Sequence, residues 1–268
     1  MERNGARMTG ASGLAGTAAI AVLLCSAPAA AQPREGAERW ADSVRAAIDS
    51  AAVHGDIEAL VAAGALAERA LAAFPDDPLL LHYRGYAVYR EAVLRRERQG
   101  EDVDALLDEA QKLLERSAEL QPLPETYAVL ASVLGQKIGS NPLRGMILGP
   151  RSNAAMDRAL ELGPENPRAW LMKGISAIFT PRLFGGGLER AEEALRQALA
   201  HFETDSPAPP APAWGHDEAW AWLGEVYRRT DRHAEAREAY MKALEIEPQN
   251  GWVREVLLPA LVKASGGP

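Results

Sequence analysis

The sequence is short of several things, and each shortage excludes something. It has one cysteine, Cys25, in 268 residues, so neither an intrachain disulfide nor a cysteine cluster for zinc can form. Aromatic residues make up only 6%, and β-branched residues are scarce. That argues against a sheet and leaves Ala and Leu, both strong helix formers, to supply most of the apolar share. No apolar run approaches the ~20 residues needed to cross a bilayer as a helix. A basic surplus is also lacking. Lys and Arg number 29 against 37 Asp and Glu, a net charge of −8, and no basic stripe suited to nucleic acid stands out.

Chemical machinery is missing as well. His54, His82, His201, His216 and His233 offer no i,i+4 pair for zinc. No nucleophile elbow, nucleotide phosphate loop or dinucleotide fingerprint occurs. His216, Asp217 and Glu218 read as the start of a helix, and neighbours such as Glu192 and Glu193 as its solvated face. We therefore expect no enzyme, no cofactor and no metal.

What is there begins with an address. Arg3 and Arg7 precede an apolar run over 14–25, and small residues surround Ala27, Ala29 and Ala31. This is the three-part order of a secretory signal peptide, with cleavage expected after Ala31. Cys25 lies at the depth where bacterial lipoproteins carry lipid, but Leu24 stands where their motif has Gly, Ala or Ser. Soluble export, to the periplasm or outside, is favoured over a lipid anchor.

The rest of the chain repeats itself. Residues 217–250 place Trp220, Leu223, Gly224, Tyr227, Ala236, Tyr240, Ala243 and Pro248 in order. Trp220, Leu223 and Tyr227 share one helical face, and so do Ala236, Tyr240 and Ala243 on a second helix. Gly224 and Ala236 are small enough to let two helices approach. Pro248 discourages continuation of the second helix. Small residues recur at Ala70, Ser117, Ala159, Ala198 and Ala243, at spacings of 47, 42, 39 and 45.

These eight residues resemble the tetratricopeptide repeat, a pair of antiparallel helices that stacks on its neighbours. The resemblance implies an all-α fold, an α-solenoid of about five such hairpins. We place them at 34–75, 78–122, 124–164, 167–202 and 217–248, with a cap at 252–264, all within a domain at 32–264. A connector over 203–216 holds Pro207, Pro209, Pro210 and Pro212. It should run extended and stiff, either loosening the last hairpin or lying harmlessly on the surface.

The repeats are longer than the plain unit. The stretch over 91–108 is charged and suits longer helices, with Gly100 at the turn. IGSNPLRGMILGPRS and FTPRLFGGGLER are rich in Gly and Pro, so both are expected as loops. They join the two helices of adjacent hairpins and should emerge on one edge. Asn141, Arg144, Arg151 and Arg182 are their candidate polar contacts for an anionic ligand. The competing reading is that Leu143, Met146, Ile147 and Phe184 pin these loops onto the stack while the arginines cap helix ends or pair with nearby acids.

In this family the first helix of each pair lines a concave surface. Carrying its positions over gives Tyr86, Tyr89, Leu171, Ile175, Ile178 and Phe179 as an apolar inner wall. At ~25 cal/mol per Å² such a wall should be covered. Two occupants are open: another part of the chain, or an outside apolar ligand, peptide or partner helix. The function expected is an exported scaffold that binds a protein or peptide, such as an envelope protein. An alternative resemblance rests on 174–202, which looks like part of the periplasmic T-component of TRAP transporters. It implies a solute-binding protein as partner and a hydrophobic small molecule in the cleft.

Overall fold

The computed structural model describes residues 31–265, except 100, 101 and 140. The proposed signal segment, Cys25 and Gly100 lie outside the described residues. Ten α-helices follow one another: α1 Ala31–His54, α2 Ile57–Ala73, α3 Pro78–Gln99, α4 Asp104–Leu120, α5 Pro124–Ile138, α6 Pro142–Leu162, α7 Pro167–Phe179, α8 Leu188–Phe202, α9 His216–Arg229 and α10 His233–Ile246. A π-helical turn over Trp252–Leu257 and a last helix, α11 Leu258–Ala264, form the cap. No strand occurs among the described residues.

Local chemistry explains where the helices start. Asp56 accepts a hydrogen bond from the Ala59 amide at 3.0 Å. Asn166 accepts from the Arg168 and Ala169 amides at 3.0 and 3.1 Å. Proline follows at the first helical position of α7, where its missing N–H costs nothing.

The helices pack in consecutive pairs, and the pairs pack side by side through α2 on α3, α4 on α5 and α8 on α9. First helices also meet, α1 on α3 and α5 on α7, so the chain is a layered stack. Close approach within a pair depends on its small residues. A Cβ on Gly85 would lie 2.8 Å from Leu114, on Gly174 2.7 Å from Leu195, and on Gly224 2.4 Å from the Tyr240 ring. Opposite them Ala70, Ser117, Ala159, Ala198 and Ala243 are all fully buried. Ser117 fits because its hydroxyl donates to the Pro78 carbonyl at 2.7 Å.

One expected loop is helix. Most of IGSNPLRGMILGPRS is the start of α6. Asn141 is not a free contact but the cap, accepting from the Leu143 and Arg144 amides at 3.0 and 3.4 Å. Pro142 follows it at the helix start, and Pro150 sits exposed inside the helix. The other expected loop does leave helix between α7 and α8, with a 3-10 turn over Arg182–Phe184.

The two ends of the stack also meet. His54, at the end of α1, bonds through Nε2 with Gln249 Oε1 at 3.0 Å, just ahead of the cap. Arg90 on α3 reaches Glu218 on α9 at 2.5 Å.

Candidate functional site

The concave face is built from the first helices of the pairs, and part of it is already occupied. The proline-rich connector folds back across α1, α3 and α7. Its start is anchored by Asp205, which takes Arg168 Nη1 and Nη2 at 3.3 and 2.5 Å. In the middle the Tyr83 hydroxyl donates to the Pro210 carbonyl. Pro209 and Pro210 also face Glu35, Glu38, Arg39 and Asp42 of α1 across a shallow hollow of about 350 Å³. At its end Trp214 stacks on Tyr86, ring centres 4.9 Å apart and 20° from parallel. Gly215 follows at φ +104, and a Cβ there would lie 2.6 Å from Leu171. Glycine is needed at that turn for both reasons.

The connector therefore does the opposite of loosening the last hairpin. It is held by ion pair, hydrogen bond and ring stack, and Pro212 and Trp214 are buried. It also covers part of the inner wall, at Tyr86 and Leu171. Tyr86, Tyr89, Leu171 and Ile178 are buried within the chain, Ile175 is half-buried, and only Phe179 is exposed, at 58%. A cleft for a hydrophobic molecule lined by Tyr86 and Leu171 is filled by Trp214 and Gly215.

The seat is not perfect. His82 lies 6.2 Å from Tyr86 and nearly parallel to it, and bonds through Nδ1 with Thr126 at 3.0 Å. Burial drives its imidazole down to about 3, so it stays neutral. Its Nε2 and the Trp214 indole nitrogen are both buried without a hydrogen-bond partner among the described residues. An unpaired buried N–H costs about 1–3 kcal/mol, so the connector sits in the groove with an unmet demand.

Charge surrounds this aromatic seat. Arg90 Nη1 touches both Glu218 and the Tyr86 hydroxyl, the latter at 3.1 Å. Asp49 is paired with Arg45 at 3.2 Å, and Asp217 accepts from Asn250 at 2.8 Å. Burial nevertheless raises both carboxyls to about 6. In the unfolded chain they titrate near 3.9. Between those values the folded state holds protons that the unfolded chain has released. Their contribution is therefore present below the unfolded value and is lost as pH rises through about 6. Asp217→Asn should raise stability at pH 7 by about 1–2 kcal/mol and flatten the profile between pH 4 and 6. Urea unfolding across that range checks it; an unchanged profile would mean that Asp217 titrates normally.

The remaining open stretch of the concave face is aromatic. Phe179, at the end of α7, meets Trp222 of α9 edge-on at 5.9 Å. Trp222 in turn lies 4.6 Å from Trp252 in the cap. The Arg229 guanidinium stands 5.4 Å over the Phe179 ring. Arg229 and Arg228 both bond to Glu225, at 2.6 and 2.8 Å. Burial alone would raise Glu225, but the two guanidiniums outweigh it and hold the carboxyl below its usual range. The result is a rigid cation above an exposed ring.

The arginines expected to reach an anion all have acidic neighbours. Arg144 binds Asp104 at 2.7 Å and caps the Lys137 carbonyl at 3.2 Å. Arg151 pairs with Glu115 and Arg182 with Glu189, both at 3.0 Å. These are exposed pairs, worth ~0–1 kcal/mol each. Sequence reasoning missed Trp214, Trp222 and Trp252. An aromatic closing a proline-rich run was the available signal for Trp214. Nothing local marked the other two, whose row forms only on stacking.

Among the described residues no helix is long and apolar enough to cross a membrane, and no group of three or more His, Cys, Asp or Glu is placed to hold a metal ion. Comparison with curated protein sequences gives no match. Solved structures share the fold, among them two that cover most of this chain. The HusA haemophore of Porphyromonas gingivalis is 24% identical, with a TM-score of 0.59 over 72% of this chain and 93% of that one. TTC0263, a thermophilic TPR protein of Thermus thermophilus, is 22% identical, with a TM-score of 0.57 over 86% and 98%. The family model for the tetratricopeptide repeat matches residues 217–250. That segment is a tetratricopeptide repeat, and the stack it completes has the fold of tetratricopeptide-repeat proteins.

Proposed function

We propose that the protein is an exported scaffold that binds a protein or peptide partner on its concave face and does no chemistry of its own. Export is supported by the basic, apolar and small-residue order of residues 1–31. The binding reading is carried by one observation: Phe179 lies 58% exposed at the open end of the groove, beside Trp222 and under Arg229. A large exposed ring beside a second aromatic and a fixed cation suits an anchoring side chain of a partner segment. The stack holds these groups in place before binding, so little ordering entropy is lost.

Phe179→Asp tests this. It removes the ring and places a carboxylate near Arg229 on an exposed site, so the fold should survive. We expect partner recovery from native purification to fall at least about tenfold, equivalent to ~1.4 kcal/mol, with unchanged helicity. Mass spectrometry of the copurifying proteins reads the result. Full retention of the same partner in the variant would remove the groove from the binding site.

A further inference from the structure

Among the described residues the most exposed apolar side chains are not in the groove. Leu143, Met146 and Ile147 share one face of the first turns of α6 and are 67–70% exposed. Leu183 and Phe184, in the turn between α7 and α8, are 87% and 68% exposed. The two sets lie on one edge. The chain reverses between α5 and α6 and again between α6 and α7, so α5 and α7 run the same way and end on the same side of the stack. Adjacent pairs place these ends next to each other, since α5 packs on α7.

Both sets are held rigid. The 180–187 turn is closed by bonds from the Phe184 amide to the Pro181 carbonyl at 2.9 Å and from the Gly187 amide to the Ala177 carbonyl at 2.8 Å. A Cβ on Gly186 would sit 1.9 Å from the Thr180 carbonyl oxygen, so only glycine lets that turn close. The start of α6 is fixed by its Asn141 cap. Leu183 and Phe184 are therefore presented outward by the backbone and do not swing there at random.

The two segments that carry them have cations and no carboxylate of their own. Residues 126–156 hold Lys137, Arg144 and Arg151 and no carboxylate; residues 166–188 hold Arg168, Lys173 and Arg182 and no carboxylate. This occurs in a protein of net charge −8. Asp104, Asp108 and Glu115 of α4, and Glu189, pair with four of these cations. The arginine pairs are exposed, so a stronger anion can take over the guanidiniums at little cost.

We propose that this edge docks on an anionic lipid surface. Leu143, Met146, Ile147, Leu183 and Phe184 would enter the headgroup–acyl boundary, and Arg144, Arg151 and Arg182 would meet lipid phosphates. Side chains exposed to this degree project outward and do not line a recess. A fluid interface accepts such projections, whereas a folded protein needs sockets shaped for them. The flanking arginines complement an anionic headgroup layer.

The test uses the full chain with Cys25→Ser and Phe184→Cys, labelled at the new thiol with an environment-sensitive fluorophore. Vesicles are phosphatidylcholine with or without phosphatidylglycerol. The expected result is a blue shift and at least about a threefold rise in emission with phosphatidylglycerol present. Arg144→Gln with Arg182→Gln should weaken that response at least about fivefold. Unchanged emission overturns the proposal, even where the chain sediments with vesicles through residues 14–25. An equal response to phosphatidylcholine alone overturns its anionic part. A shift that grows with protein concentration and needs no vesicles assigns the edge to a protein contact instead. Circular dichroism confirms that the variants keep their helices, as expected from the exposure of Phe184, Arg144 and Arg182.

Discussion

Asp205→Ala is expected to cost about 3–5 kcal/mol of folding stability. Arg168 is 1% exposed, and both of its terminal nitrogens bond to Asp205. Its Nε already lacks a partner among the described residues. Removing the carboxylate leaves a buried guanidinium with no direct ion-pair partner among the described residues, favoured by the Phe202 ring 5.7 Å away and, more distantly, by Asp49. A ring quadrupole offsets part of that cost and no more, at ~0.5–2 kcal/mol. The control is Arg168→Met together with Asp205→Leu, which removes both charges and keeps the volume. It should recover most of the loss, because the penalty comes from the orphaned charge. Urea denaturation of the three proteins decides the matter. A loss below about 1 kcal/mol in the single variant would place this pair with ordinary surface ion pairs.

The second large effect concerns Trp214, and two substitutions there should diverge. Trp214→Ala removes a buried ring stacked on Tyr86 and opens a cavity. Its cost should be about 3 kcal/mol, at the low end for such truncations. It falls at the low end because the variant also removes the unpaired indole N–H. Trp214→Phe keeps the stack and deletes the same N–H, so it should lie within about 1 kcal/mol of the parent. Equal losses for both would show that the indole nitrogen has a partner and that the ring stack contributes little. Hydrogen exchange adds a local readout. The Ala211 amide, bonded to the Ala208 carbonyl in the connector, should lose protection in Trp214→Ala and keep it in Trp214→Phe.

The stacked-hairpin fold was readable because its requirements are local. A glycine facing a large side chain, as in Gly174 with Leu195, recurs at a fixed place in a hairpin, and so do the fully buried small residues. The start of α6 was misread because Gly and Pro dominate its sequence. Asn141 followed by Pro142 is itself a helix-start signal, and it outweighs glycines that sit where nothing crowds them.

The groove was less readable for a different reason. Family positions located the inner wall at Tyr86, Tyr89, Leu171 and Phe179, but what covers a wall is decided by residues far away in the chain. Pro210 meets Tyr83 across 127 positions. No periodicity or spacing announces such a contact, and proline-rich composition reads equally well as a free linker. The same holds for the row of Phe179, Trp222 and Trp252, which exists only once three separate elements have assembled.

Repeat arrays are ordinarily open at both ends, so a unit can be added or removed with little effect on those further away. Here the first pair bonds to the segment before the cap, and the second pair reaches the fifth through Arg90 and Glu218. Those two contacts tie the ends of the array to each other. One unit more or fewer would part His54 from Gln249, so the first hairpin and the segment before the cap are linked across 195 positions.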